Sequence, residues 1–515
     1  MGFNKDSISK NIAKASSISS FCNILNTIFG LVYRSIFLRI LSINYLGVSG
    51  LFDNVLGLLT LADLGISSVI VYRFYRPIAN DDSYNVGRLM NFYKKVYRII
   101  ALVILAVGLV LCPFLKLLIK DYSEVPSDIN IYIVYLLSLI QTLSTYLFSY
   151  RQSLLSADQR QYKLSIYVTA VSFVTMVAKI VVLLLWESYM GTMYVTIAIT
   201  IITNVILNCL IKNRYKEVFE VCDGLSREEE KDIINDTKAT LLHKIGGTIL
   251  VSTDNLVISR FVGVVATGIH SNYLVIINGA TKIIQQLFGN FNSSLGKIHV
   301  TKGSDENFEL YKIINFINFW IVGLVTSCIY ILINSFIYIW LKDSENVYNE
   351  YTVMLICLQF FLELIRYTTS SYINASGLFV KDRYRPLIEA SINIVISVVL
   401  AKRIGIQGVV LGTIISHMVT VTWREPYILF KYEFKKSTKY YWMIFTKCFL
   451  VIIISSLISF GIKNIIGSIV SIAEWILMGV ICAFIYNCTF IIVFRKSEEL
   501  KNVILNLKNI SLNKK

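Results

Sequence analysis

The sequence predicts an all-α polytopic membrane protein of about 14 transmembrane helices: two six-helix lobes in parallel repeat, followed by two C-terminal helices. Three observations carry this. First, 55% of the 515 residues are hydrophobic and the mean hydropathy is +0.63. A soluble core of this chain length does not hide that much apolar surface. Second, apolar runs of about 18 or more residues recur from end to end, the length a helix needs to cross a bilayer. The runs are continuous rather than alternating, which argues against a β-barrel. Third, the charges between the runs are distributed as a membrane topology requires.

In chain order the apolar segments centre near Ile28, Leu59, Ile104, Leu139, Met176, Ile201, Leu250, Ile277, Leu324, Gln359, Ile394, Ile415, Ile454 and Val480. With the N-terminus placed in the cytoplasm, roughly 35 Lys and Arg fall inside against about seven outside. An odd helix count would put the basic tail outside, so 14 helices with both ends inside is the consistent solution. Lys402 and Arg403, on an outer loop, are the main exception. The net charge of +16 is then a property of the inner loops and gives no reason to invoke nucleic acid. The nine cysteines form no CxxC or Cys/His cluster, so neither a zinc site nor a disulfide framework is expected. The first apolar segment is too long for a cleavable signal peptide and lacks a small-residue cleavage site.

The organisation read from these segments is an N-lobe over residues 15–213, an inner loop over 214–238, a C-lobe over 239–432, two extra helices over 440–495 and an amphipathic tail over 496–515. In the inner loop, Ser226 followed by Glu229 fits a capping box, so a surface helix is expected to start there. In the tail, Leu500, Val503, Ile504 and Leu507 share one helical face with lysines opposite, a pattern suited to the membrane surface. A weak internal repeat supports the two lobes. Gly50-Leu-Phe-Asp-Asn54 aligns with Gly268-Ile-His-Ser-Asn272 at an offset of 218, and Leu155-Ser-Ala157 resembles Ala375-Ser-Gly377. Copies of six helices keep the same orientation, and lobes that rock about their interface expose a cavity to each side in turn.

Intramembrane charge marks the expected cavity. The first segment carries Arg34 and Arg39, the second Asp53 and Asp63. A charge at bilayer depth costs roughly 2.5 to 3.5 kcal/mol on insertion scales, so it faces protein or a wet cavity. Arg34 and Arg39 lie about 140° apart around a helix, so Arg34 is the cavity candidate and Arg39 a second one that can also snorkel. The structural alternative is pairing of these arginines with Asp53 or Asp63. In the eighth segment Ser271, Asn278, Gln285 and Asn292 recur every seven residues, with Lys282 beside them. Such a polar stripe meets water, a polar ligand or another polar helix, the last worth about 0.6 to 2 kcal/mol per contact. Asp254 and Asn255 in the seventh segment could hold a sodium ion or carry a proton, with Asn393 or Thr413 completing the set. A salt bridge of Asp254 with Lys244 or Arg260 is the alternative. Glu363 and Arg366, three apart, read as an intrahelical pair. Lys179 reads as an end-of-helix charge or a partner for Glu187, and Glu474 has no evident partner.

Several stretches resemble the Wzx-type polysaccharide flippases of capsule, O-antigen and teichoic-acid pathways, in the superfamily that also holds the multidrug MATE exporters (MATE/MOP-like). These are Gly377-Leu-Phe-Val-Lys-Asp-Arg-Tyr-Arg-Pro-Leu-Ile-Glu-Ala390, Gly405-Ile-Gln-Gly-Val-Val-Leu-Gly-Thr-Ile-Ile-Ser416, Tyr75-Arg-Pro-Ile-Ala-Asn-Asp81, His243-Lys-Ile-Gly246 and Thr253-Asp-Asn-Leu-Val-Ile-Ser259. Each is weak singly; in order, over nearly the whole chain, they are specific.

The resemblance implies a bacterial inner-membrane protein that turns an undecaprenyl-diphosphate-linked oligosaccharide from the cytoplasmic to the outer leaflet. Arg34 falls where the related lipid II flippases carry arginines on the first helix, and a diphosphate would be held by Arg34, Lys282 and Arg39, since guanidinium forks and an ammonium suit phosphate oxygens. Ser271, Asn278, Gln285, Asn292 and Asp53 would then line the sugar cavity, and the last two helices would guide the lipid tail. Implied partners are the lipid-linked oligosaccharide, membrane lipids, and polysaccharide polymerase and other assembly proteins. No cofactor or covalent chemistry is implied; Na+ or H+ is the candidate coupling ion at Asp254 and Asn255. Competing functions are a MATE-like multidrug or small-molecule exporter, for which an acidic or apolar cavity is expected, and a membrane enzyme or scaffold of the same pathway. The short outer loops argue against an enzyme with an outer catalytic domain.

Overall fold

The computed structural model describes residues 8–59, 66–158, 160–301, 304–342, 347–382 and 384–502, with side chains except at 8–16, 66–68, 72, 236, 238–251, 289–301 and 379–380. Asp63 and the tail beyond residue 502 therefore lie outside the described residues, as do the side chains of Lys244 and Asn292. The chain divides into two compact units, Met1–Ser271 and Asn272–Lys515.

The first unit holds α1 (Ile8–Ile40), α2 (Ile43–Leu59), α3 (Ile66–Ala79), α4 (Ser83–Leu111), α5 (Ile131–Ser149), α6 (Gln152–Ala157), α7 (Gln161–Trp186), α8 (Tyr189–Arg214), α9 (Lys216–Glu220) and α10 (Arg227–Phe261), and the start of α11 (Val264–Thr301). Polar residues set its boundaries. Asp82 caps α4 by accepting from the Asn85 N–H at 3.0 Å, and Ser188 caps α8 by accepting from the Gly191 N–H at 3.1 Å. The expected capping box is present: Ser226 Oγ accepts from Glu229 N–H at 3.3 Å, and Glu229 accepts from Ser226 N–H at 2.7 Å. The helix it starts runs without a break to Phe261. Two apolar cores are found among its described residues. One gathers Phe37, Leu51, Phe52 and Tyr135; the other gathers Ile70, Phe74, Tyr93 and Leu154. Along the α1–α7 contact, hydroxyls and amides meet: Ser19 and Ser165 at 3.0 Å, and Asn26 donating to Thr169 at 3.2 Å.

The second unit holds the rest of α11, then α12 (Ser304–Leu341), α13 (Glu350–Ile365), α14 (Tyr367–Ala375), α15 (Arg385–Ile404), α16 (Ile406–Val419), α17 (Val421–Ile428), α18 (Lys439–Ile466) and α19 (Ile472–Phe494). It is built around α12, which packs on α13, α18 and α19 and buries side chains along most of its length. Polar pairs fix these contacts, including Trp320 donating to Asn487 at 2.9 Å and Ser327 against Ser455 at 3.2 Å. α15 and α16 form a tight hairpin that turns at Gly405, φ +61. A Cβ on Gly412 would overlap the backbone of Ser397, and one on Gly408 the backbone of Leu400. Small residues at this spacing let two membrane helices approach closely.

All 14 expected segment centres fall inside helices, and no strand occurs among the described residues. Among the described residues, ten helical spans are long and apolar enough to cross a membrane. The segments at Leu59 and Ile394 miss that mark for physical reasons: α2 has 17 residues, and α15 begins and ends with charges. Glu474 has a partner after all. It is the third residue of α19 and closes a capping box with Ser471, accepting from the Ser471 N–H at 3.2 Å and the Val470 N–H at 2.9 Å.

Candidate functional site

The site lies in the first unit, where α1, α2, α7 and the first turns of α11 bring charge together. Arg34 projects from an otherwise apolar stretch of α1. Its Nη1 donates to the Ser271 carbonyl at 2.9 Å and its Nη2 to the Ser271 hydroxyl. The Ser271 hydroxyl itself donates to the Gly268 carbonyl at 2.7 Å, one turn back on α11. Arg34 Nε is buried and has no hydrogen-bond partner among the described residues, so one donor of the fork stays open.

Beside it, the Lys179 ammonium on α7 sits 3.8 Å from the centroid of the Tyr33 ring, a cation–π contact. Asp53 on α2 feels the charge of both Lys179 and Arg34. Neither cation closes on it to ion-pair distance. Asp53 is solvent-exposed although Leu51, Phe52, Val55 and Leu56 around it in α2 are buried. Two cations, one carboxylate and an open guanidinium donor leave the site net positive. It can receive an anionic oxygen and return a hydrogen bond to it.

The other sequence-derived residues are placed as follows. Arg39 is exposed near the end of α1 and forms no ion pair with a described residue. On α11, Asn278 and Lys282 are exposed and Gln285 is half-buried, its carbonyl accepting from the Tyr367 hydroxyl at 3.3 Å. Among the described residues of that stripe, only Ser271 joins Arg34. On α10, Asn255 is buried with its side-chain oxygen unbonded, and Asp254 is half-buried. In the second unit, Asn393 donates to Thr413 at 2.8 Å, both buried.

Two features escaped the sequence. Lys179 is neither a helix-end charge nor a partner for Glu187; it belongs to the Arg34 site. The rule that singles out Arg34 would have found it, since no other charge falls in α7 between Lys163 and Trp186. The second is a buried ion network in the second unit. Arg366 does not pair with Glu363; its Nη2 and Nε donate to Glu425 on α17 at 2.7 and 3.1 Å. Arg385 bonds Asp382 and Glu389, each at 2.6 Å, and lies 3.3 Å from Glu425; Arg424 bonds Asp382 at 2.6 Å. Three guanidinium groups match three carboxylates, and Asp382, Arg385 and Glu389 all come from the Gly377–Ala390 stretch.

No protein-family model and no curated protein matches the sequence. Solved structures do match the fold. It is the fold of transporters of the MOP superfamily: an inward-facing MATE multidrug-resistance transporter aligns with a TM-score of 0.58 at 14% identity, over 80% of this chain and 98% of the other. A MOP transporter from Pyrococcus furiosus, described as having a binding pocket of reversed polarity, aligns at 0.55 and 11% identity, over 82% and 97%. The lipid II flippase MurJ in an inward closed conformation aligns at 0.63 and 14% identity, over 93% of this chain and 98% of that one. At these identities the likeness establishes a multi-pass membrane fold, and function has to be argued from the site.

Proposed function

We propose that this protein is a flippase that moves an undecaprenyl-diphosphate-linked oligosaccharide repeat unit across the bacterial cytoplasmic membrane by alternating access, for a capsule, O-antigen, exopolysaccharide or teichoic-acid pathway. The observation that carries the reading is Arg34, held by Ser271 through its terminal nitrogens with Nε left open, next to a second cation at Lys179. An anionic phosphate is the ligand such a pair of cations recognises. The MurJ structure, a lipid II flippase of the same fold, supports a lipid-linked substrate. Translocation makes and breaks no covalent bond, so binding and release at the site are the whole of the chemistry. In this reading both termini are cytoplasmic, Asn278, Gln285 and Lys282 meet sugar and phosphate further along α11, and Asp254 with Asn255 couples Na+ or H+.

A multidrug exporter of the same fold is the competing function. Asp53 is the only feature of the site that favours a cationic drug, and two cations outweigh it. The test is complementation of a strain lacking its own repeat-unit flippase, with surface polymer and lipid-linked repeat units both assayed. Wild type restores the polymer; Arg34→Ala, made at normal levels, does not, and repeat units accumulate in the cytoplasmic leaflet. Failure of the wild type in its own pathway's deletion strain, with drug resistance gained instead, turns the assignment to export.

A further inference from the structure

Away from the Arg34 site, the first unit contains a cavity of about 320 Å³, within the roughly 300–1,000 Å³ of ligand pockets, lined by Lys94, Tyr97 and Arg98 of α4, Tyr150 and Arg151 between α5 and α6, and Asn208 of α8. Nothing in the proposed translocation uses it. Lys94 and Arg98 lie four apart and so share one face of α4. Arg151 is pinned in place: Nε donates to the Tyr150 hydroxyl at 2.9 Å, Nη1 donates to the Asn208 carbonyl at 3.3 Å, and the guanidinium lies 4.9 Å from the Phe219 ring centroid.

The neighbouring cations of α4 are neutralised and these are not. Arg88 pairs with Glu229 at 2.7 Å and Lys95 with Glu230 at 3.5 Å, which uses the acidic start of α10. Lys94, Arg98 and Arg151 form no ion pair among the described residues, and no carboxylate lines the cavity. The plain alternative is a set of interfacial cations reaching for water. Such cations need no cavity and no pinned guanidinium.

The surroundings identify the ligand. Past Arg98, α4 carries no further charge to its end at Leu111. Ile99 and Leu102 there are 52% and 64% exposed, and Leu147 at the cavity is 47% exposed. The cavity therefore sits where a charged helix end meets a lipid-facing apolar surface. We propose that it is a binding site for the phosphate headgroup of an anionic membrane phospholipid, with Lys94, Arg98 and Arg151 holding the phosphate and the acyl chains lying along Ile99, Leu102 and Leu147. Basic pockets between membrane helices bind anionic headgroups in this way.

The experiment reconstitutes the full chain in equal parts phosphatidylglycerol and phosphatidylcholine, extracts it gently, and reads retained lipid by native mass spectrometry. Wild type retains phosphatidylglycerol over phosphatidylcholine. Lys94→Gln with Arg98→Gln loses one retained phosphatidylglycerol, its affinity falling roughly 30-fold. Arg98→Gln alone, at an exposed position, moves the same way if the double variant does not fold. Equal retention of both lipids by wild type, or unchanged retention by the variants, overturns the proposal. Two competitors separate the sources of phosphate. Displacement by millimolar inorganic phosphate makes this a soluble-anion site, and displacement by stoichiometric undecaprenyl diphosphate makes it part of the substrate path; either result refutes a phospholipid site.

Discussion

The Lys179 ammonium rests 3.8 Å from the centroid of the Tyr33 ring, one residue from the arginine that Ser271 holds. A desolvated cation on an aromatic face gains about 2 kcal/mol, so Lys179 is held at its place without consuming an acidic partner. Its charge thus remains available beside Arg34 and Asp53. Lys179→Gln is expected to abolish complementation, or to reduce it at least tenfold, while the thermal unfolding temperature in detergent changes little. Lys179→Arg is expected to retain part of the activity, because a guanidinium also stacks on tyrosine. Loss of folding with Lys179→Gln, instead of loss of activity, would make Lys179 a structural residue.

Arg366 and Glu425 make the sharpest stability prediction. Glu425 is 2% exposed and receives two hydrogen bonds from Arg366. Removing one partner of a buried pair costs about 3 to 5 kcal/mol, because the other charge is left unpaired. Glu425→Ala is therefore expected to lower the unfolding temperature steeply, and Glu363→Ala, at an exposed position, to leave it nearly unchanged. Differential scanning fluorimetry of the two variants separates these outcomes. Equal effects would mean that the three-residue spacing, and not the contact of Arg366 with α17, sets the pair.

That contrast shows what a sequence can carry. Length and hydropathy are local properties, and from them the class of fold and a residue inside a helix for every expected segment can be read. Charge at bilayer depth is also local, which is why Arg34 and Asp53 stand out from the sequence alone. Partnership is not local. Glu363 is three residues from Arg366 and is the natural partner by helical spacing; Glu425 is 59 residues away, and only the folded unit brings it within 2.7 Å. The same holds for Ser271, which the polar stripe marks as cavity lining but which Arg34 claims from 237 residues away. Glu474 is opaque in the sequence because a capping role depends on where a helix begins, and boundaries are the weakest feature of a hydropathy profile.

The α15–α16 hairpin offers a test of close packing. A Cβ on Gly412 would lie 2.7 Å from the Ser397 backbone nitrogen and 2.8 Å from its Cα. Backbone cannot swing aside as a flexible side chain can, so even Gly412→Ala forces the two helices apart. Overpacking of this kind costs about 1 to 3 kcal/mol, and Gly412→Leu more. Both variants are expected to unfold at lower temperature than wild type, in the order Leu, Ala, wild type. Gly224 is the control: a Cβ there would meet no atom within 4 Å, and Gly224→Ala leaves stability unchanged.

Glu229 ties the start of α10 to pH. It lies in the polar first turn, where the Ser226 backbone N–H, then the Ser226 hydroxyl and Arg88, hold its carboxyl below the usual glutamate range. A carboxylate depressed in the folded state contributes stability that is fully present above its unfolded value and is lost as pH falls through its folded one. The capping box and the 2.7 Å contact with Arg88 should therefore loosen together on acidification and not on alkalinisation. Hydrogen exchange at the first amides of α10, corrected for the intrinsic pH dependence of exchange, is expected to lose protection only on the acid side of the glutamate range. In Glu229→Gln the amide still accepts from Ser226 but cannot titrate, so protection is weaker throughout and flat with pH. An acid-side loss that persists in Glu229→Gln would assign the transition to another carboxylate.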